Sequence, residues 1–163
     1  MDQRPVQDFY TDEWSYCYGC GRLSTQGLHV QTRWLDDDLG LTTCHFTPEP
    51  YHCALPGFVY GGILASLIDC HGIGTAALAA HRAEARPLGS EPPVRFVTAS
   101  LHVDFLAPTP LGPLDLTGRI VDTSSRDGRT RKVAVDVTVV ADGRECVRGH
   151  VVGVLAPADF GSR

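Results

Sequence analysis

Gly61-Gly62-Ile63-Leu64-Ala65-Ser66-Leu67-Ile68-Asp69-Cys70-His71-Gly72-Ile73-Gly74-Thr75-Ala76-Ala77-Leu78-Ala79-Ala80-His81 is the stretch that decides the fold. Ile63, Leu64, Leu67 and Ile68 recur at helical spacing, a run of alanines follows, and no proline interrupts, so one long helix is predicted over about 61–81. Gly72 and Gly74 each weaken such a helix by about 1 kcal/mol relative to alanine, which points to close packing against a sheet or a second subunit. Beyond it, residues 82–94 are charged and proline-rich, a surface connection. Four strand-like runs follow, at 95–105, 114–123, 131–141 and 145–155. Val133, Val135, Val137 and Val139 share one face of the third run; Val147, Val151 and Leu155 are in phase in the fourth. Asp127-Gly128 and Asp142-Gly143 mark tight hairpins.

Before the helix, Leu28, Val30 and Thr32 alternate with His29, Gln31 and Arg33, which predicts a strand from Gly27. Asp36-Asp37-Asp38 is a turn, Leu39–Phe46 a second strand, and Pro48 and Pro50 end it. Two strands, one helix and four strands give no βαβ alternation. The sheet is therefore expected to be mostly antiparallel, an α+β layout with one helix against one large sheet. The expected organisation is an N-terminal arm or covering segment over 1–26, one domain over 27–157 and a C-terminal tail over 158–163.

At 163 residues one domain is the default, and 43% hydrophobic with 20% charged residues excludes a wholly disordered chain. The net charge of -5 gives no sign of a nucleic-acid surface. No uninterrupted apolar run approaches the ~20 residues of a membrane span, and Met1–Trp14 lacks the apolar stretch of a secretory signal. A cytoplasmic setting with free thiols is expected. Of the cysteines at 17, 20, 44, 53, 70 and 146, Cys17-x-x-Cys20 alone has metal or redox spacing. No second such pair exists to complete a four-ligand zinc site, since Cys44, His45, His52 and Cys53 are scattered. Cys20 is followed by Gly21 and loop-like sequence rather than a redox helix. No metal and no cofactor are expected.

A long apolar helix wrapped by a curved antiparallel sheet resembles the hotdog fold. Pro56-Gly57-Phe58-Val59-Tyr60-Gly61-Gly62 is similar to the PGxxHGG signature of hotdog acyl-CoA thioesterases, closest to the PaaI-like and THEM-like branch. Asp69 stands nine residues after the signature's histidine position, where that branch has its catalytic carboxylate. Val103–Pro108 resembles the family's VxFLxP strand. Gly118–Val121 and Asp142-Gly143 fall where the family has its strand and hairpin, and Cys20-Gly21 with Gly27-Leu28 resembles its CxxCG…GL opening. The resemblance covers about residues 17–155. It implies hydrolysis of an acyl-CoA to free acid and coenzyme A by a homodimer, or a homotetramer of two dimers. The sequence departs at Tyr60, which replaces the signature histidine, a positioning group rather than the attacking one.

Thioester hydrolysis needs an oxyanion donor, a carboxylate or base, and shelter for the acyl chain. Gly61 and Gly62 open the helix, where amides lack intrahelical acceptors and the dipole favours negative charge. The alternative is a glycine pair that merely turns the chain. Asp69, amid apolar residues and without a helical salt-bridge partner, is the candidate nucleophile or general base; otherwise it faces solvent. Tyr60 and His52 are candidate substrate-binding residues, with packing at the pocket mouth and a surface histidine as their alternatives. His71 lies about 200° around the helix from Asp69 and reads as a histidine packed in a subunit interface. Arg129, Arg131 and Lys132, in the basic run 126–132, are candidate grips for coenzyme A phosphates, or simply a solvated hairpin. No G-x-S-x-G elbow supports a serine hydrolase. Two other functions stay open: a non-catalytic acyl-CoA binding protein, favoured by Tyr60, and a hotdog hydratase or dehydratase, whose D-x-x-P-x-H type of motif is missing near the helix.

Overall fold

The computed structural model describes residues 4–161; the outermost positions of the expected arm and tail, 1–3 and 162–163, lie outside the described residues. Helix α1, Gly61–Ala83, runs 23 residues, two beyond the predicted end. Leu67, Ile68, Ala76, Ala77 and Ala80 have no exposed surface. The helix is long and apolar enough to cross a bilayer by composition alone, but most of it is buried inside the molecule as the core.

Six strands form one wholly antiparallel sheet: β1 (Arg33–Asp36), β2 (Leu41–Phe46), β3 (Phe96–Phe105), β4 (Leu114–Arg126), β5 (Arg129–Ala141) and β6 (Arg144–Leu155). Their order is β1-β2-β4-β5-β6-β3, and α1 packs on β3 to β6. The valines of β5 at 133, 135, 137 and 139 all face the helix at no more than 1% exposure. Across the ladder Val135 pairs with Val151 and Val139 with Val147, so the two apolar faces coincide. At both Asp-Gly turns the two residues adopt left-handed φ, from 50° to 72°. That is the conformation of a type I′ turn, whose twist suits a two-residue hairpin.

The segment expected as a strand from Gly27 differs. Leu28, Val30 and Thr32 are buried and His29 and Gln31 exposed, so the alternation is real, yet the ladder starts only at Arg33. The amides find acceptors elsewhere: Leu28 N–H donates to Tyr18 O at 2.8 Å and Val30 N–H to Gly19 O at 2.9 Å. Thr32 O in turn accepts Val6 N–H at 3.0 Å. These residues form a strap across α1, and Val6 and Tyr10 of the N-terminal segment are buried beside it.

The glycines of α1 mark close approaches within the chain. A Cβ at Gly72 would lie 2.6 Å from Val151 Cγ2, and one at Gly74 would lie 2.5 Å from Thr32 Oγ1. Between these contacts sits His71, wholly buried, a correction to the expected subunit-interface histidine. Its Nδ1 lies 3.0 Å from Thr32 Oγ1 and its Nε2 3.3 Å from Thr42 Oγ1. Thr42 reaches Thr75 at 2.6 Å, and Gln7 Nε2 donates to Thr32 at 3.2 Å. A buried polar ring needs such partners, and all come from one chain.

Candidate active site

The start of α1 is fixed from both sides. Val59 N–H donates to Thr109 O and Tyr60 N–H to His52 O, each at 2.8 Å. Tyr60 is the N-cap in extended conformation (φ -63°, ψ 132°), and its carbonyl accepts from Ile63 at 3.0 Å and Leu64 at 3.3 Å. Gly61 and Gly62 are therefore the first two helical residues, with amides that have no acceptor within the helix. Phe105, at the end of β3, covers Gly61: a Cβ there would sit 3.3 Å from its ring. The Tyr60 ring folds over Gly62, where a Cβ would come within 2.4 Å of it. A groove of about 300 Å³ opens here, lined by Val59, Gly61, Leu64 and residues 105–109. Apart from Thr109 its lining is apolar, which suits an apolar chain that ends beside the Gly61 amide at the helix start.

Asp69 lies eight residues beyond Gly61, so about 12 Å along the helix axis at ~1.5 Å per residue. It is half-buried and accepts a hydrogen bond from the Thr98 hydroxyl of β3. Burial raises its pKa above the ordinary carboxylate value, with the Thr98 hydrogen bond opposing. Thr98 did not stand out in the sequence; a hydroxyl beside the bulge of β3, between Thr98 and Ser100, becomes meaningful only once β3 is laid beside the helix.

The other predicted residues do not gather here. His52 is buried, so the surface alternative fails. Its Nδ1 accepts Glu49 N–H at 3.0 Å, and its ring stacks on Phe46. It builds the turn before the helix and does not line the groove. Arg129 pairs with Glu84 at 3.0 Å, just past the C-terminal end of α1. Twenty-three residues of helix separate that end from Gly61, about 35 Å. Arg131 and Lys132 are exposed on the same hairpin. Within one chain, this basic run and the glycine amides do not share a site.

Fold and site together define the hotdog class, with a glycine-opened helix and a carboxylate two turns further on. The family model described as Thioesterase superfamily matches residues 56–146, and the chain belongs to that superfamily. A thioesterase superfamily protein of Shewanella loihica PV-4 is 42% identical, with 91% of this chain and 100% of that one covered at a TM-score of 0.64. The Escherichia coli PaaI protein from the phenylacetic acid degradation operon shares the fold at 15% identity. The match covers 80% of this chain and 81% of that one, with a TM-score of 0.61. A thioesterase of Haemophilus influenzae does so at 12% identity, with 84% and 85% covered and a TM-score of 0.63. No curated protein matches the chain.

Proposed function

We propose that this thioesterase-superfamily protein hydrolyses an acyl-CoA to the free acid and coenzyme A. It does so as a homodimer whose sites each combine Gly61 and Gly62 of one copy with Asp69 of the other. The observation that carries this is the spacing along α1. An oxyanion donor and a base must both lie within ~3 Å of the reacting atoms, and about 12 Å of helix separates them within one chain. Both groups are presented beside β3, Gly61 under Phe105 and Asp69 against Thr98. β3 ends the sheet, with an unpaired edge and with Leu101 and Phe105 exposed at 40% and 56%. Such an edge calls for a covering strand, and a second copy supplies one with two-fold symmetry.

In this reading Asp69 takes a proton from water, and the hydroxide attacks the thioester carbonyl. The amides of Gly61 and Gly62 hold the oxyanion. The C–S bond then breaks, and the departing thiolate takes up the proton. Single turnover in ¹⁸O-labelled water separates this from attack by Asp69 itself, which would move enzyme oxygen into the acid. Tyr60 closes over the helix start and replaces the signature histidine as the positioning side chain. Six unpaired thiols suit a reducing compartment, and the cytoplasm is the proposed setting. The test is a panel of acyl-CoAs with release of free thiol followed. Turnover that falls ~10²-fold or more in Asp69→Asn, with folding and binding retained, supports the reading. Tight binding without turnover in the wild type would make the protein a binder instead.

A further inference from the structure

Cys70 follows Asp69 on α1 and points to the N-terminal segment rather than to the groove. There it meets the Cys17-x-x-Cys20 turn. The three sulfurs lie within 4.8 Å of one another, and Cys17 Sγ stands 3.8 Å from Cys70 Sγ. Zinc–sulfur bonds of about 2.3 Å at tetrahedral angles require sulfur–sulfur edges of about 3.8 Å.

The turn is shaped around these atoms. Gly21 N–H donates to Cys17 O at 2.8 Å and Val30 N–H to Gly19 O at 2.9 Å, which hold the turn in place over Cys70. Gly19 lies directly over Cys70, where a Cβ would collide with Sγ at 2.2 Å. A Cβ at Gly21 would collide with Ser15 O and Cys17 N at 2.4 and 2.5 Å. Any side chain at either glycine would push the sulfurs apart.

A second set of observations concerns charge. Arg95 lies with its guanidinium over the Tyr10 ring at 4.3 Å, in electrostatic range of Cys17 and Cys20. Among the described residues its buried Nε and Nη1 have no hydrogen-bond partner. Tyr10, only 8% exposed, is buried beside that guanidinium, within range of Cys20 and Cys70. A buried guanidinium calls for negative charge nearby, which three sulfurs bound to a cation would supply. Three thiolates and a divalent ion sum to one negative charge, which Arg95 offsets. A monovalent copper ion would leave two.

We propose that Cys17, Cys20 and Cys70 bind one zinc ion, which clips the N-terminal segment to α1 beside Asp69. This departs from the expectation of no metal. The sequence offered only two ligands at motif spacing, and the third arrives from the helix through the fold.

The reduced full-length protein, stripped with chelator, is titrated with Co²⁺ and then with Zn²⁺. The expected result is one equivalent per chain, with sulfur-to-cobalt charge-transfer absorption and tetrahedral ligand-field bands that zinc abolishes. Cys17→Ser and Cys70→Ser should each weaken binding by more than ~100-fold, the upper range for losing merely an outer partner of a ligand. Cys53→Ser, at an exposed cysteine outside the cluster, should bind as the wild type. Should Cys70→Ser fail to fold, Cys17→Ser in the loop carries the same comparison. The proposal is overturned if the wild type takes up neither ion at micromolar concentration or binds Cu⁺ alone. It is equally overturned if Cys53→Ser loses the bands while Cys17→Ser keeps them.

Discussion

Gly61→Pro removes one proposed oxyanion donor while leaving the helix able to form. Proline is favoured at the first helical position because its φ fits and its missing N–H had no helical acceptor there. Tyr60, at ψ 132°, already has the extended conformation that a following proline requires. The added Cβ meets the Phe105 ring at 3.3 Å, a contact that a small shift of the ring relieves. Stability should therefore stay near the wild type, while turnover falls ~10²- to 10³-fold, the usual cost of one such donor. Asp69→Asn should be similarly impaired. The two variants together test the composite site. At equal mixing, random exchange makes about half the dimers mixed, and each mixed dimer holds one site with both lesions and one with neither. The mixture should recover about a quarter of wild-type activity, although neither parent turns over. The assay is thiol release after subunit exchange, with native mass spectrometry to count mixed dimers. If mixed dimers form and activity stays at the level of the parents, glycines and aspartate do not meet across an interface, and the reasoning fails.

Four further outcomes follow from particular contacts. Leu101→Lys places a charge on the free edge strand and should weaken the dimer by about tenfold or more, read by light scattering at falling concentration, with activity lost in parallel. Gly72→Ala forces a methyl against Val151 and should cost ~1–3 kcal/mol in overpacking, less up to ~1 kcal/mol of gained helix propensity, so its melting temperature drops by several degrees. Glu84→Ala strips the partner from Thr130 N–H and from Arg129; about 1–3 kcal/mol of stability should go, with turnover on the folded protein unchanged. His71 is held neutral by burial, its pKa pushed down to about 3 from an ordinary 6.5. Its contribution is complete above pH 6.5 and is lost as pH falls toward 3, because the unfolded chain takes the proton that the folded one refuses. Denaturant titrations of metal-free protein should show up to ~1.4 kcal/mol lost per pH unit in that window, and His71→Asn should lack this component.

The helix and the four long strands are legible in the sequence because each carries its own period. Spacing at 63, 64, 67 and 68 marks one face of a helix, and the valines of β5 alternate from 133 to 139. The Asp-Gly pairs fix register locally. Burial at 28, 30 and 32 is equally legible, but the hydrogen-bond partners of that segment are not. Tyr18 and Gly19 offer carbonyls that no periodicity reveals, so the alternation reads as a strand where the structure has a strap. The candidate site divides in the same way. Gly61, Gly62 and Asp69 lie on one element and their spacing is a matter of counting. Thr98 and Cys70 acquire partners only when β3 and the N-terminal segment come to rest against the helix. Arg129 misleads because its charge is visible in the sequence while Glu84, which holds it, is 45 residues away in the chain.

Beyond the open groove at its start and the half-buried Asp69, α1 is committed to packing. β5 and β6 take the valine-facing side, the strap and His71 take another, and the Cys17–Gly21 turn takes the flank at Cys70. This limits how the protein can acquire a new substrate preference. A wider or longer acyl pocket cannot be carved from the helix without opening the core, and each deleted methylene there costs stability at once. The free variables are at the rim: Phe105 to Thr109, and the loop carrying Leu55 and Phe58, which are 69% and 42% exposed. On the proposed function, divergence in acyl specificity is thereby channelled into two short surface segments, with α1 as the fixed axle around which they change.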